Sequence, residues 1–87
     1  MGLDTVEFLL HAEKAFDIKI SDEEAGNIFT VGEFSALCHK KLALKPSNNM
    51  NEEQVFLTLK QILHQHFAVT NIEISRNHLI VKDLGLE

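Results

Sequence analysis

The sequence predicts an all-α fold: a four-helix bundle of three main helices and one short helix, with a long ordered loop at the C-terminal end. Apolar residues recur at three- to four-residue spacing in three segments, which is the period of an amphipathic helix. Ser21 with Glu24, and Thr30 with Glu33, have the spacing of capping boxes, which open helices. At 87 residues the chain is expected to form one small domain with a modest core.

Residues 3–16, LDTVEFLLHAEKAF, are expected to form the first helix. The helical period predicts that Leu3, Val6, Leu9, Leu10 and Phe16 lie on its apolar side. The opposite stripe is then formed by Asp4, Glu7, His11 and Lys14. Asp4 and Glu7 lie in the first turns, where negative charge complements the helix dipole. Residues 17–21, DIKIS, are expected to be extended.

The two capping boxes predict the next two helices. Ser21 is expected to open a short helix of about two turns that ends near Gly26. Thr30 is expected to open a longer helix, whose apolar residues are Phe34, Leu37, Cys38 and Leu42. Residues 43–50 contain Pro, Ser and Asn and are therefore predicted to be a linker.

The second half of the chain contains one strongly patterned helix and then loses the helical period. The helix is predicted to begin near Asn51 and to place on one side Val55, Phe56, Leu59, Ile62, Leu63, His66 and Phe67. Residues 68–87 are expected to form a long loop anchored by Ile72, Ile74, Leu79, Ile80 and Leu84. Loops of this length in small domains are often functional.

Charge and cysteine content narrow the possible partners and compartment. The net charge is −5, and residues 1–42 hold eight acidic and four basic side chains. This balance argues against nucleic acid or an anionic membrane as the main partner, since both require clustered Lys and Arg. The single Cys38 cannot form an internal disulfide, and no apolar run is long enough to span a membrane. A cytoplasmic location is expected.

The first half of the sequence resembles the acyl carrier protein family. The resemblance rests on Leu3-Asp4-Thr5-Val6-Glu7, Phe16, Ile20, Asp22-Glu23-Glu24-Ala25, Ile28 and Thr30-Val31. These residues follow the family pattern without gaps, from its second helix to the start of its last. The resemblance implies an acyl-carrier-like helical bundle.

The second half resembles the same family in a different order. Residues 51–69 look like the first helix of a carrier protein, and the residues after them look like the loop that leads to its modified serine. In the family these segments precede the acidic helix, whereas here they follow it. We therefore expect one circularly permuted carrier-like domain: residues 1–42 match family helices two to four, 43–50 form the linker, and 51–87 match helix one and its loop. A domain-swapped homodimer and a fragment of a tandem protein are alternatives.

The resemblance also indicates what this chain lacks. Carrier proteins attach 4′-phosphopantetheine to a serine at the start of the acidic helix, and Gly2 stands at that position here. When the two ends of the permuted sequence are joined, Glu87 precedes this position, and Leu3 and Asp4 follow it. Glycine has no hydroxyl, so we expect no cofactor. The predicted function is a non-enzymatic, acyl-carrier-like protein of fatty-acid or polyketide metabolism. The alternative is a working carrier whose serine comes from flanking sequence, from another chain or from an unconventional site among Ser21, Ser35, Ser47 and Ser75.

Two groups of residues are predicted from the family. A basic surface of an acyl-processing enzyme is the expected partner of Asp4, Glu7, Glu13, Asp22, Glu23 and Glu24. An acyl pocket is expected to be lined by Val6, Leu10, Phe16, Ile20, Ala25, Ile28, Val31 and Phe34. The alternatives are a solvated helix face for the acids and an ordinary core for the apolar residues.

A small enzyme or metal-binding protein is the hypothesis from another class. It would use His64, His66, His78 and Cys38. His64 and His66 are two residues apart and so do not share a helix face, which argues against paired metal ligation. A reactive thiol needs a base and an electropositive setting, and we expect Cys38 to be a small buried hydrophobe instead. We therefore expect no metal site and no catalytic residue.

Overall fold

The computed structural model describes residues 3–45, 50–67, 69 and 74–86. It contains four helices, α1 (Leu3–Phe16), α2 (Asp22–Gly26), α3 (Val31–Leu42) and α4 (Glu52–Phe67). The described ranges contain no β-strand, only an isolated antiparallel bridge between Thr30 and Leu79. The predicted all-α bundle is confirmed. None of the four helices in these ranges is both long and apolar enough to cross a membrane.

α1 spans the predicted residues but buries a different face. Its fully buried side chains are Phe8 and Ala12, whereas Val6 is 38% and Leu10 is 57% exposed. The prediction that Val6 and Leu10 belong to the core is wrong. Two stripes of α1 satisfy the helical spacing, and the one with Phe8 buries more apolar area while Ala12 allows close packing. The helix ends at Asp17, which adopts a left-handed φ of 54°.

The predicted capping boxes open α2 and α3. The Ser21 hydroxyl accepts from the Glu24 amide at 3.1 Å, and the Glu24 carboxylate accepts from the Ser21 amide at 3.0 Å. Thr30 and Glu33 form the same reciprocal pair, at 3.1 Å and 2.9 Å. These bonds satisfy backbone donors that have no partner within a helix.

α4 packs against α3 and α1 and completes the core. Asn51 and Gln54 form a third reciprocal pair at its start. Its buried residues are Val55, Phe56, Leu59, Ile62 and Leu63. Phe67 is partly buried, whereas His66, predicted on the apolar side, is exposed. The Phe8 ring forms T-shaped pairs with Phe34 and with Phe67, at 5.0 Å and 5.9 Å between ring centroids, which join α1 to α3 and α4.

Residues 74–86, called here the C-terminal segment, lie against the junction of α2 and α3. Three backbone hydrogen bonds join them: Val31 N to His78 O, Gly32 N to Arg76 O, and Ile80 N to Phe29 O, at 2.8–3.1 Å. Four side chains enter the core, namely Ile74, Ile80, Leu84 and Leu86. Ile74, Ile80 and Leu84 are therefore anchors as predicted, and Leu79 is partly buried. The predicted anchor Ile72 and positions 46–49 of the predicted linker lie outside the described residues.

Candidate functional site

An apolar cavity of about 610 Å³ lies between α1, α2, α3 and the C-terminal segment. Its interior is formed by Phe8, Phe34 and Ile80, each at most 4% exposed. Its rim includes Phe29, Val81 and Lys82, which are exposed. This volume falls within the ~300–1,000 Å³ typical of sites for small molecules.

Two lining residues bring polar groups to this apolar cavity. Thr5 is 8% exposed, and its hydroxyl has no hydrogen-bond partner among the described residues. Lys82 is the one charged residue among the described residues of the lining. The described lining is therefore mainly apolar, with Lys82 as its single cationic residue.

The structure brings only part of the predicted acyl pocket to this cavity. Ala25, Ile28 and Phe34 line it. Three more of the predicted residues belong to the core or pack against it without lining the cavity: Phe16, Ile20 and Val31. The exposed Val6 and Leu10 do not line it, because α1 is rotated relative to the prediction.

Sequence reasoning missed Thr5, Phe8 and the wall formed by residues 79–82. Phe8 could have been found, because it shares a helix face with Thr5, Ala12 and Phe16 and is the largest apolar residue of the first two turns. Residues 79–82 reach the cavity through contacts with residues about fifty positions earlier in the chain. No local pattern reports such a contact.

The six predicted partner-binding acids divide into two groups. Asp4, Glu7, Asp22 and Glu23 are exposed, and within the described ranges none of them forms an ion pair. Glu13 instead accepts from the Ile20 amide at 2.8 Å, which helps to turn the chain after α1.

Glu24 has a structural role in addition to its negative charge. Its carboxylate accepts from the Ser21 amide and pairs with Lys41 at 2.9 Å. The hydrogen bond from the Ser21 backbone, and then that from Lys41, lower the pKa of Glu24 to about 2. Glu24 therefore fastens α2 to α3, which leaves it less available to a partner than the four exposed acids.

The predicted attachment position, Gly2, and its predicted neighbour Glu87 lie outside the described residues. Of the serines named above as unconventional attachment sites, Ser21 caps α2 and Ser35 is fully buried in α3. Ser75 is exposed, and its backbone amide donates to His78 Nδ1. Ser47 is not among the described residues. Burial rules out Ser35 as an attachment site in the folded chain.

The described residues include no group of three or more His, Cys, Asp or Glu side chains that could hold a metal ion. Cys38 is fully buried, and burial raises the pKa of its thiol to about 12. His66 stacks on His11 of α1, with ring centroids 4.0 Å apart and planes 19° from parallel. The buried thiol is unreactive, and stacked rings do not converge on one metal.

Comparison with known proteins gives a partial match. No protein-family model and no solved structure matches the chain. It is similar to a protein named acyl carrier protein from Amoebophilus asiaticus (strain 5a2), 44% identical over 44 residues, which cover 51% of this chain and 55% of that protein. The chain thus spans about half the length of this curated relative. It is an all-α bundle similar to an acyl carrier protein over about half of its own length.

Proposed function

We propose that this protein is a non-enzymatic, acyl-carrier-like binding module of fatty-acid or polyketide metabolism in the cytoplasm. The observation that carries the proposal is the outer face of α1, defined by Asp4, Val6, Glu7, Leu10 and Lys14. On this face two exposed apolar side chains, one helical turn apart, lie beside carboxylates without an ion pair in the described structure.

The chemistry of this face suits a basic protein surface with an apolar centre. Burial of Val6 and Leu10 against a partner would remove exposed apolar area from water. The carboxylates of Asp4 and Glu7 would meet Lys or Arg of the partner and would mainly raise the association rate and the specificity. Asp22 and Glu23 of α2 would extend the negative surface.

Our proposal for the domain is a circular permutation of the carrier order within one chain. The support is that α4 and the C-terminal segment fill the core of this same chain against α1 and α3. A swapped homodimer would place the same contacts between two copies. A single species with the mass of a monomer in sedimentation equilibrium would favour the permuted monomer.

The absence of the cofactor is proposed from Gly2, which has no hydroxyl for phosphopantetheine. The test is the intact mass of the protein after incubation with coenzyme A and a broad-specificity phosphopantetheinyl transferase. We expect no change in mass for the natural sequence and one added phosphopantetheine for Gly2→Ser. A gain by the natural sequence would contradict the proposal and favour a working carrier that uses another serine.

Partner binding is tested with two variants of equal charge change. Asp4→Asn with Glu7→Gln removes two charges from the outer face of α1, and Glu52→Gln with Glu53→Gln removes two from the start of α4. Against a panel of basic acyl-processing enzymes, the first pair should weaken binding about three- to tenfold, as expected for surface ion pairs. If both pairs of substitutions weakened binding equally, the effect would come from the overall charge of the protein. That result would contradict a specific site on α1.

A further inference from the structure

We propose that a lysine-lined cleft at the end of α3 binds a small ligand with a diphosphate group. The cleft has a volume of about 370 Å³ and is lined by Asp17, Ile18, Lys19, Lys41 and Lys45. It lies between the turn that follows α1 and the last residues of α3, and it shares no described lining residue with the apolar cavity. The inference does not rest on the proposed binding of a protein partner.

The charge of this lysine cleft is opposite to that of the whole chain. The chain carries a net charge of −5, yet three of its eight basic residues line the cleft, against one acidic residue in the described lining, Asp17. Glu24 of α2 lies beside the cleft and pairs with Lys41 at 2.9 Å. Three ammonium groups therefore face two carboxylates, and the local charge is positive.

The helix dipole accounts for only part of this arrangement. Lys41 lies in the last turn of α3, where a cation complements the partial negative charge of the helix end. Lys19 belongs to the connection after α1, is exposed and forms no ion pair with the described part of the chain. Its position in the same cleft adds a cation that has neither a helix end nor a carboxylate to balance it.

Two of the three ammonium groups are already held in place. Lys41 Nζ lies 2.9 Å from Glu24 Oε1, and Lys45 Nζ lies 3.0 Å from Asp17 Oδ2. An ammonium group has three donors, so each lysine keeps donors for an anion after one carboxylate contact. The Lys41 and Lys45 side chains are only 23% and 35% exposed, so less rotamer freedom is lost when a ligand binds.

The size and charge of the lysine cleft favour a diphosphate over a single carboxylate. The negative charge of the whole chain repels anions, so a ligand must gain from several ammonium groups at once. Two linked phosphate groups can contact Lys19, Lys41 and Lys45 together, which one carboxylate cannot do. Lysine binds phosphate as a point charge, which suits a cleft lined by ammonium groups and not by guanidinium groups.

Asp17 occupies part of the lysine cleft in the free protein. Its side chain is 98% exposed, so its ion pair with Lys45 contributes little and can be displaced by a multivalent anion. Asp17 has a left-handed φ of 54°, a conformation that asparagine also adopts readily. Asp17→Asn therefore removes the competing charge and keeps the turn.

The experiment is a titration of ¹⁵N-labelled protein with inorganic diphosphate, at constant ionic strength and without divalent cations. We expect chemical-shift changes at the amides of Ile18, Lys19 and Lys45, and a dissociation constant on the order of 1 mM, as for a few exposed charge pairs. The absence of shifts at these residues would overturn the proposal. An equal response to sulfate would overturn the assignment of a diphosphate.

Adenosine diphosphate is the second ligand, because a diphosphate group can come from the free ion or from an organic ester. Tighter binding of adenosine diphosphate than of inorganic diphosphate would support the site and identify an ester as the source. Equal binding of the two would support the site and identify the free ion.

The lysines are tested with Lys19→Ala, and Lys40→Ala is the matched control, since Lys40 is exposed on α3 and does not line the cleft. Lys19→Ala should weaken diphosphate binding about two- to fivefold, Asp17→Asn should strengthen it by a similar factor, and Lys40→Ala should leave it unchanged. Equal weakening by Lys19→Ala and Lys40→Ala would overturn the proposal in favour of overall charge. The Asp4→Asn, Glu7→Gln pair should bind diphosphate normally, so failure of the partner-binding proposal and failure of this one give different results.

Discussion

The helices and the C-terminal segment of this small domain are held in place by different interactions. α2, α3 and α4 each begin with a side chain that hydrogen-bonds a backbone amide three residues away. The C-terminal segment also has local hydrogen bonds, such as that from the Leu79 amide to Asp83, but its position against the helices depends on bonds to residues 29–32 and on four buried side chains. The cavity lies between these two regions, so its size depends on contacts that join distant parts of the chain.

The largest expected effect concerns the helical region. Phe8→Ala removes a fully buried ring that contacts both Phe34 and Phe67, and such truncations cost about 3–5 kcal/mol. In a domain of this size that loss approaches the total free energy of unfolding. Urea denaturation followed by circular dichroism measures it.

Leu10→Ala is the matched control for Phe8→Ala on the same helix. Leu10 is 57% exposed, so the change in the free energy of unfolding should stay within about 0.5 kcal/mol. If Leu10→Ala cost as much as Phe8→Ala, the face that α1 buries would be the one first predicted from the apolar spacing.

The next effect concerns the C-terminal segment alone. In Gly32→Ala the new Cβ would lie 2.9 Å from the Arg76 carbonyl oxygen, closer than such atoms normally approach. The segment must shift away from α3, and the expected cost is about 1–3 kcal/mol, as for overpacked sites. Faster amide exchange at position 32 and at Ile80, with α4 still protected, would locate the damage in the segment.

Gly26→Ala tests the same substitution where there is room. Nothing lies within 4 Å of the position of its Cβ, and alanine favours helix over glycine by about 1 kcal/mol. We expect this variant to be as stable as the natural protein or slightly more so. A loss equal to that of Gly32→Ala would mean that glycine is needed at both positions for another reason.

The contrast between the regions also explains what could be predicted from the sequence. The starts of α2 and α3 followed from Ser21 and Thr30, because a capping box lies within four residues. The buried face of α1 did not follow, because its apolar residues allow two faces and only packing against Phe34 and Phe67 selects one.

Only the cavity-lining residues from the first half of the chain could be predicted from the sequence. Ala25, Ile28 and Phe34 were identified, but the wall formed by residues 79–82 depends on a backbone pairing across some fifty residues. The acids show the same limit. In the sequence, Glu13 and Glu24 look like members of an acidic binding surface. Only the structure shows that they bond to Ile20, Ser21 and Lys41.

A change of pH is expected to have a smaller effect on stability, and this effect arises in the helical region. The pKa of Glu24 is about 2 in the folded chain and has its ordinary value of 4.5 when unfolded. Its contribution to stability is therefore complete above pH 4.5 and is lost as the pH falls towards 2. The pKa of Glu33 is also lowered, by the Thr30 and Phe29 amides, so its contribution is lost in the same direction.

Glu24→Gln should reduce the fall in melting temperature between pH 4.5 and 2. Glu23→Gln should leave that fall unchanged. Glu23 is the adjacent exposed acid, and its carboxylate neither caps a helix nor pairs with a described cation. Carboxyl-carbon chemical shifts give the pKa of Glu24 directly. Identical pH profiles for both variants would contradict the structural role assigned to Glu24.

The smallest effects compare two buried hydroxyls, one in each environment. Ser35 is sealed within α3 with no hydrogen-bond partner among the described residues, and Thr5 is equally unpaired but lines the cavity. Ser35→Ala removes the unpaired hydroxyl and adds a better helix former, so we expect a gain of up to about 1 kcal/mol in the free energy of unfolding.

Thr5→Val should gain less than Ser35→Ala, because valine is no better a helix former than threonine, whereas alanine is better than serine. Urea denaturation of the two variants measures both changes in the free energy of unfolding. Equal gains would show that helix propensity contributes little at these two positions and that the unpaired hydroxyl sets the cost at both.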